Sequence, residues 1–180
     1  DHVPPKQFFP GSIRRTDNSL KLLTLPTHKS CNKSYQRDED YFLTSIGPMA
    51  IGSSLAGREL WQDIAKRVQR PEGAGLAALV RSEFYLKDGD LYVPNGKMGK
   101  KFDLDRIRRV IWKITRGLFA YETNRFLPDN TPQFFKFQSE VEKGTPPEEF
   151  FELVGTPIKG KHKGIFAYRY LVDASLHGFN

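Results

Sequence analysis

Apolar positions from residue 58 onward fall mostly at helical spacing. Leu60, Trp61, Ile64, Ala65 and Val68 recur every three or four residues, which predicts an amphipathic helix over Arg58 to Arg70, stopped by Pro71. Ala74 to Ser82 reads as a second, shorter helix. The longest stripe, Ile107, Val110, Ile111, Ile114, Leu118 and Tyr121, predicts a helix that begins near Asp103 or Asp105. Other stretches have the period of a strand. Phe166, Tyr168, Tyr170 and Val172 alternate with Ala167, Arg169, Leu171 and Asp173. Phe84-Tyr85-Leu86 and Leu91-Tyr92-Val93 flank Asp88-Gly89 as a hairpin would, and Phe134, Phe135 and Phe137 suggest one more strand. Thr145 and Glu148 form a capping box, with Pro146 in the first turn, for a helix reaching Val154. Ile46 to Leu55, rich in Gly and Ser with Pro48 inside it, predicts an extended segment or broken helix.

The first 44 residues have a different pattern. Val3 to Phe9 is interrupted by Pro4-Pro5, so a short strand followed by a loop is expected. Gly11 to Asn18 reads as a polar turn, and Leu20 to Leu25 as a second strand ended by Pro26. From about Lys29 a helix is expected to run through Phe42. The whole chain is therefore expected to be α+β, with a β-β-α unit over 1–44 and a mixed helix and strand accessory region over 45–180.

Chemistry gathers in that first unit. Hydrolysis of a phosphodiester needs a base to take a proton from water and a cation to hold the phosphate and stabilise the leaving oxygen. His2 is the natural base, because imidazole titrates near neutrality. Asp1 and Asn32 offer hard oxygen ligands suited to Mg²⁺ or Mn²⁺. Asn18 has a short amide that can fix one imidazole tautomer; it can equally make an Asx-turn beside Asp17.

With Asp1-His2, Asn18 ahead of a short apolar stretch, and Cys31-Asn32, the chain resembles the HNH, or ββα-metal, endonucleases. The resemblance covers roughly residues 1 to 40. It implies His2 as general base with Asn18 as its partner, Asp1 and Asn32 as metal ligands, and a divalent cation, Mg²⁺ or Mn²⁺, in catalysis. Asparagine in the last position makes this an H-N-N variant, similar to the HNH domains of RNA-guided CRISPR nucleases. Lys33 and Arg37 on the motif helix, with Arg14 and Arg15, are expected to contact phosphate. Many members hold a structural zinc with two C-x-x-C pairs. Here the second pair reads His28-x-x-Cys31 and the first is missing, an incomplete knuckle, since two ligands do not close a tetrahedral zinc site. A start on the motif dipeptide implies a parent chain that extends upstream, where further Zn²⁺ ligands would lie.

Composition fits this expectation without specifying it. Hydrophobic content of 38% with 13% aromatics is that of a folded chain, and 180 residues allow one sizeable core or a small module with an accessory domain. No apolar run reaches membrane-spanning length. One cysteine excludes a disulfide scaffold and implies a reducing, cytoplasmic setting. A net charge of +7 favours a polyanionic partner, here DNA. Clusters at Arg14-Arg15, Lys97 with Lys100-Lys101, Arg106 with Arg108-Arg109, and Lys159 to Lys163 are candidates to line its path, although charge runs are usually solvated surface. The expected function is metal-dependent DNA cleavage; paired cuts would require two active sites, which a homodimer would supply. The alternative is a non-catalytic nucleic-acid-binding protein that keeps an HNH-like fold.

Overall fold

A computed structural model describes residues 1–16, 22–50, 54–88, 91–92, 98–133, 135, 155–162 and 165–171. The chain divides into two compact units, Asp1–Gln133 and Phe134–Asn180. It is α+β, a set of helices with small antiparallel strand pairs. Among the described residues no helix is long and apolar enough to cross a membrane.

In the first unit, β1 (His2–Val3) pairs antiparallel with β2 (Leu23–Thr24), His2 facing Thr24 and Val3 facing Leu23. Between them lies α1 (Gly11–Thr16), where a polar turn was expected. Gly-Ser-Ile-Arg-Arg-Thr has no apolar period of its own. Two acids of the next helical layer hold it instead: the Gly11 N–H donates to Asp63 Oδ2 at 2.7 Å and Ser12 Oγ donates to Glu59 Oε2 at 2.6 Å. These contacts satisfy groups at the helix start that nothing local would.

After β2 the chain enters α2 (Lys29–Ile46), which continues four residues beyond the expected end. A short 3₁₀ segment at Gly47–Ala50 follows, then α3 (Leu55–Val68), whose Ser54 cap accepts the Gly57 N–H at 3.0 Å. α4 (Ala74–Ser82) matches its expected bounds. The hairpin region pairs differently from expectation. β3 (Phe84–Tyr85) pairs with β6 (Gly99–Lys100), while β4 (Lys87–Asp88) pairs with β5 (Leu91–Tyr92) across the Asp-Gly segment. α5 (Leu104–Thr123) starts on Asp103, whose carboxylate accepts the Arg106 N–H at 3.3 Å, and ends on Asn124 in the left-handed region at φ 55°.

The core lies where α2 runs along α5. Tyr41, Ile107 and Val110 are fully enclosed there, with Val80 of α4 beside Tyr41 and Ile107. Enclosing each aliphatic side chain contributes about 1.5–3 kcal/mol. The expected stripe of α5 holds at Ile107, Val110 and Ile114 and fails at Tyr121, which is 55% exposed. Gly117 lets β1 press against α5: a Cβ there would meet Val3 Cγ2 at 2.6 Å. This contact sets the first residues of the chain beside the middle of α5.

In the second unit, β7 (Lys159–His162) pairs antiparallel with β8 (Phe166–Tyr168), with a register shift between Lys159 and His162. Gly160 sits at φ 130°, where a Cβ would meet the Phe166 carbonyl oxygen at 2.5 Å, a place only glycine fits. The expected strand at Phe166 is thus present through Tyr168, and Val172 lies outside the described residues. So do Phe134, Phe137 and the Thr145 to Val154 helix; Phe135 is described and belongs to no strand.

Candidate functional site

Backbone pairing and one helical turn bring Asp1 and Asn32 together. The Asp1 nitrogen donates to the Leu25 carbonyl at 2.6 Å and the Leu25 N–H donates back to the Asp1 carbonyl at 2.8 Å, extending the β1–β2 ladder by a residue. Asp1 is thereby fixed where β2 leaves for α2. Extended His28 caps that helix, and its carbonyl accepts the Asn32 N–H at 3.0 Å, so Asn32 stands in the first turn. Its amide reaches Asp1. With the nitrogen turned inward, Asn32 donates to both Asp1 carboxylate oxygens at 3.1 Å. With the oxygen turned inward, three oxygens face one another, an arrangement that is favourable only around a cation.

Two residues that the sequence did not single out complete the pocket. Lys113 of α5 places its ammonium 2.5 Å from Asp1 Oδ2 and also pairs with Glu39 of α2. All three side chains are about nine-tenths buried. Asp1 Oδ1 accepts the His2 N–H at 2.8 Å. Glu39 accepts from Gln7 at 3.1 Å, and Gln7 in turn accepts from Arg67 at 3.2 Å. Side chains in the pocket therefore carry two carboxylates against one ammonium. The Asp1 nitrogen, an ammonium held on the Leu25 carbonyl, lies beside them. Glu39 belongs to the run Arg37-Asp38-Glu39-Asp40, which in sequence looks like a solvated face, yet Asp38 and Glu39 are only 6% and 8% exposed. The signal for Lys113 was its place beside Val110, Ile114 and Gly117 on the buried side of α5.

His2 neighbours this pocket on β1. Its Nδ1 lies 3.3 Å from Oγ1 of Thr24, its cross-strand partner. Burial, then the positive charge of Lys6, pulls the imidazole below its usual pKa and favours the neutral base form. Asn18, expected to orient this ring, lies outside the described residues.

The remaining expected site residues are spread out. His28 and Cys31 are both exposed at the start of α2, and Cys31 is a free thiol. Among the described residues no group of three or more His, Cys, Asp or Glu side chains is placed to hold a metal. Lys33 is exposed near Asn32, and Arg14 and Arg15 are exposed on α1, with Arg14 Nε donating to the Phe9 carbonyl at 3.0 Å. Arg37 is five residues after Asn32, so it points about 140° around the helix from it and lines a separate cavity.

Several expected DNA-facing cations are engaged in the fold. Lys100 is buried on Glu83 at 2.6 Å, Arg109 pairs with buried Asp38 at 2.8 Å, and Arg106 pairs with Asp103 at 3.2 Å. Compared with known proteins, the chain matches no family, no curated protein and no solved structure. The reading of this site rests on its own geometry. Asp1 and Asn32 fit a hard divalent cation by donor type, and the ring of His2 is placed against Thr24.

Proposed function

We propose that residues 1–44 form an HNH-type ββα-metal unit and that the protein is a metal-dependent endonuclease hydrolysing DNA phosphodiesters, with 45–180 as its accessory region. The observation that carries this reading is the 3.1 Å approach of the Asn32 amide to both oxygens of Asp1, where a strand pair meets the first turn of a helix and His2 stands next in the strand. Bound by Asp1 and Asn32, Mg²⁺ or Mn²⁺ would hold the scissile phosphate and neutralise charge on the leaving oxygen. His2 acts as the base: with Nδ1 held by Thr24, Nε2 is left to take the proton from water. The resemblance gives that orienting role to Asn18; Thr24 is the described residue placed to perform it. Lys33, Arg14 and Arg15 supply exposed positive charge for the DNA backbone.

One observation favours the second reading, a DNA-binding protein without cleavage. The Lys113 ammonium already neutralises Asp1 Oδ2, so the carboxylate is satisfied without metal. Incubating supercoiled plasmid with Mg²⁺ or Mn²⁺, against a chelator control, separates the two. On the nuclease reading, metal produces nicked and linear DNA, and His2→Ala lowers that rate by about 10²-fold or more with DNA retention unchanged. Cutting that survives His2→Ala removes the assigned base. DNA retention with no cutting in either metal selects the second reading.

A further inference from the structure

A cavity of about 610 Å³ opens among α2, α3 and α4, on the face of α2 turned away from Asn32. Its walls are unusual in carrying four guanidiniums, those of Arg37, Arg67, Arg70 and Arg106, against two carboxylates, Asp40 and Glu72. Two of the four are partly satisfied: Arg67 by Asp40 at 3.7 Å and Gln7 at 3.2 Å, Arg106 by Asp103 at 3.2 Å. The guanidiniums of Arg37 and Arg70, both exposed, make no hydrogen bond or ion pair with the other described residues. The floor is apolar, formed by Ile64 of α3 with Leu76 and Leu79 of α4, and Leu79 is 41% exposed for want of cover.

We infer that this cavity is a binding site for a small organic phosphate of about mononucleotide size, its phosphate held by Arg37 and Arg70 and its organic part lying on the Ile64–Leu76–Leu79 floor. Guanidiniums match phosphate oxygens in pairs, which suits them to this over a single ammonium. The volume falls in the range of small-molecule sites, about 300–1,000 Å³. Inorganic phosphate alone would leave the floor wet, and a duplex is too broad to enter a cavity of this size. The inference is independent of the nuclease reading, because neither Asp1, His2, Asn32 nor Lys113 lines the cavity.

Calorimetric titration of the full chain tests it, with adenosine and thymidine 5′-monophosphates, phenyl phosphate, adenosine, inorganic phosphate and a short oligonucleotide as probes. At least one of the three organic phosphates should bind measurably, at least tenfold more tightly than either adenosine or inorganic phosphate. Arg37→Gln with Arg70→Gln should weaken that binding by about tenfold or more, the effect of losing charge-assisted hydrogen bonds. Gly75→Leu gives a second variant, since Gly75 lines the cavity and a Cβ there meets no atom within 4 Å. It should block the site while leaving the unfolding midpoint unchanged or raised, leucine being the better helix former. The inference is overturned if no organic phosphate binds, if inorganic phosphate binds as tightly, if only the oligonucleotide binds, or if both variants bind as wild type does. A chain that binds organic phosphate in this manner but cuts no plasmid would keep this site and lose the proposed nuclease.

Discussion

Two lysines are buried beside α2, and they meet different numbers of carboxylates. Lys100 meets one carboxylate, Glu83, with side chains 7% and 11% exposed. The other oxygen of Glu83 accepts the Tyr41 hydroxyl at 2.5 Å, and the Tyr41 oxygen accepts the Asp103 N–H at 2.7 Å. Phe84 and Phe102 present their rings to the ammonium at 4.6 and 5.1 Å. Charge is balanced there, and the cluster ties α2 to the start of α5. Lys113 instead faces two carboxylates, Asp1 and Glu39, and beside them lies an exposed asparagine amide that can turn either atom inward. The first arrangement is complete by itself. The second sets two carboxylates and an amide against one side-chain ammonium, and this difference separates a structural ion pair from a candidate site.

Removing one partner from the balanced cluster has the largest expected effect. Glu83→Gln leaves Lys100 buried against a neutral amide and should lower unfolding free energy by about 3–5 kcal/mol in urea titrations, with no response to divalent metal. A smaller loss would show that the Lys100 ammonium finds water more readily than its burial implies.

Lys113→Met sharpens the comparison from the other side. It leaves Asp1 and Glu39 without their ammonium, so it should be destabilising by about 3 kcal/mol in chelator. Because the two carboxylates then attract a cation more strongly, Mg²⁺ or Mn²⁺ should restore part of the loss, by binding only the folded state. A variant equally unstable with and without metal would make the two clusters equivalent and remove the charge argument for the site.

Gly117→Ala tests how β1 is held against α5. The added methyl would meet Val3 Cγ2 at 2.6 Å and Cγ1 at 2.9 Å, so about 1–3 kcal/mol of stability should be lost as β1 is pushed outward. The metal response of the wild-type chain, read as a shift in unfolding midpoint, should weaken with it. Gly75→Ala is the control, an open helical position where the same change should add up to about 1 kcal/mol.

The same contrast explains what could be read from the chain itself. α5 was legible because Asp103 caps it and Ile107, Val110 and Ile114 repeat at helical spacing, both local properties. α4 was legible without a side-chain cap, as a run of alanine, leucine and valine after Pro71. α1 was not, since acids at positions 59 and 63 hold its first residues from another helix. β3 was paired with the wrong partner because nothing in Phe84-Tyr85 selects Gly99-Lys100 over a nearer segment. At the site, Asp1, His2 and Asn32 were legible as residue types with metal and base chemistry, and the structure brings Asp1 and Asn32 into contact. Lys113 carried only the weak signal of its place beside Val110, Ile114 and Gly117, and Glu39 carried none, because a charged residue on an amphipathic helix has much the same local appearance whether it faces water or a buried acid.

The smallest expected effect concerns Asp40, whose pairing with Arg67 is more open than either buried cluster, at 3.7 Å with side chains 37% and 39% exposed. Burial raises its carboxyl above the ordinary value of 3.8, and Arg67 pulls it only part of the way back. The folded state therefore keeps this proton to higher pH than the unfolded chain does. Stability falls as pH rises from 3.8 through the raised value and is flat above it. Asp40→Asn has no such titration, so relative to wild type it should be most favourable near neutrality and lose that advantage as pH is lowered toward 3.8. Unfolding midpoints of both proteins across that range give the slope. The opposite slope would mean that Arg67 outweighs burial, and Asp40 would then belong with Glu83 as a paired acid.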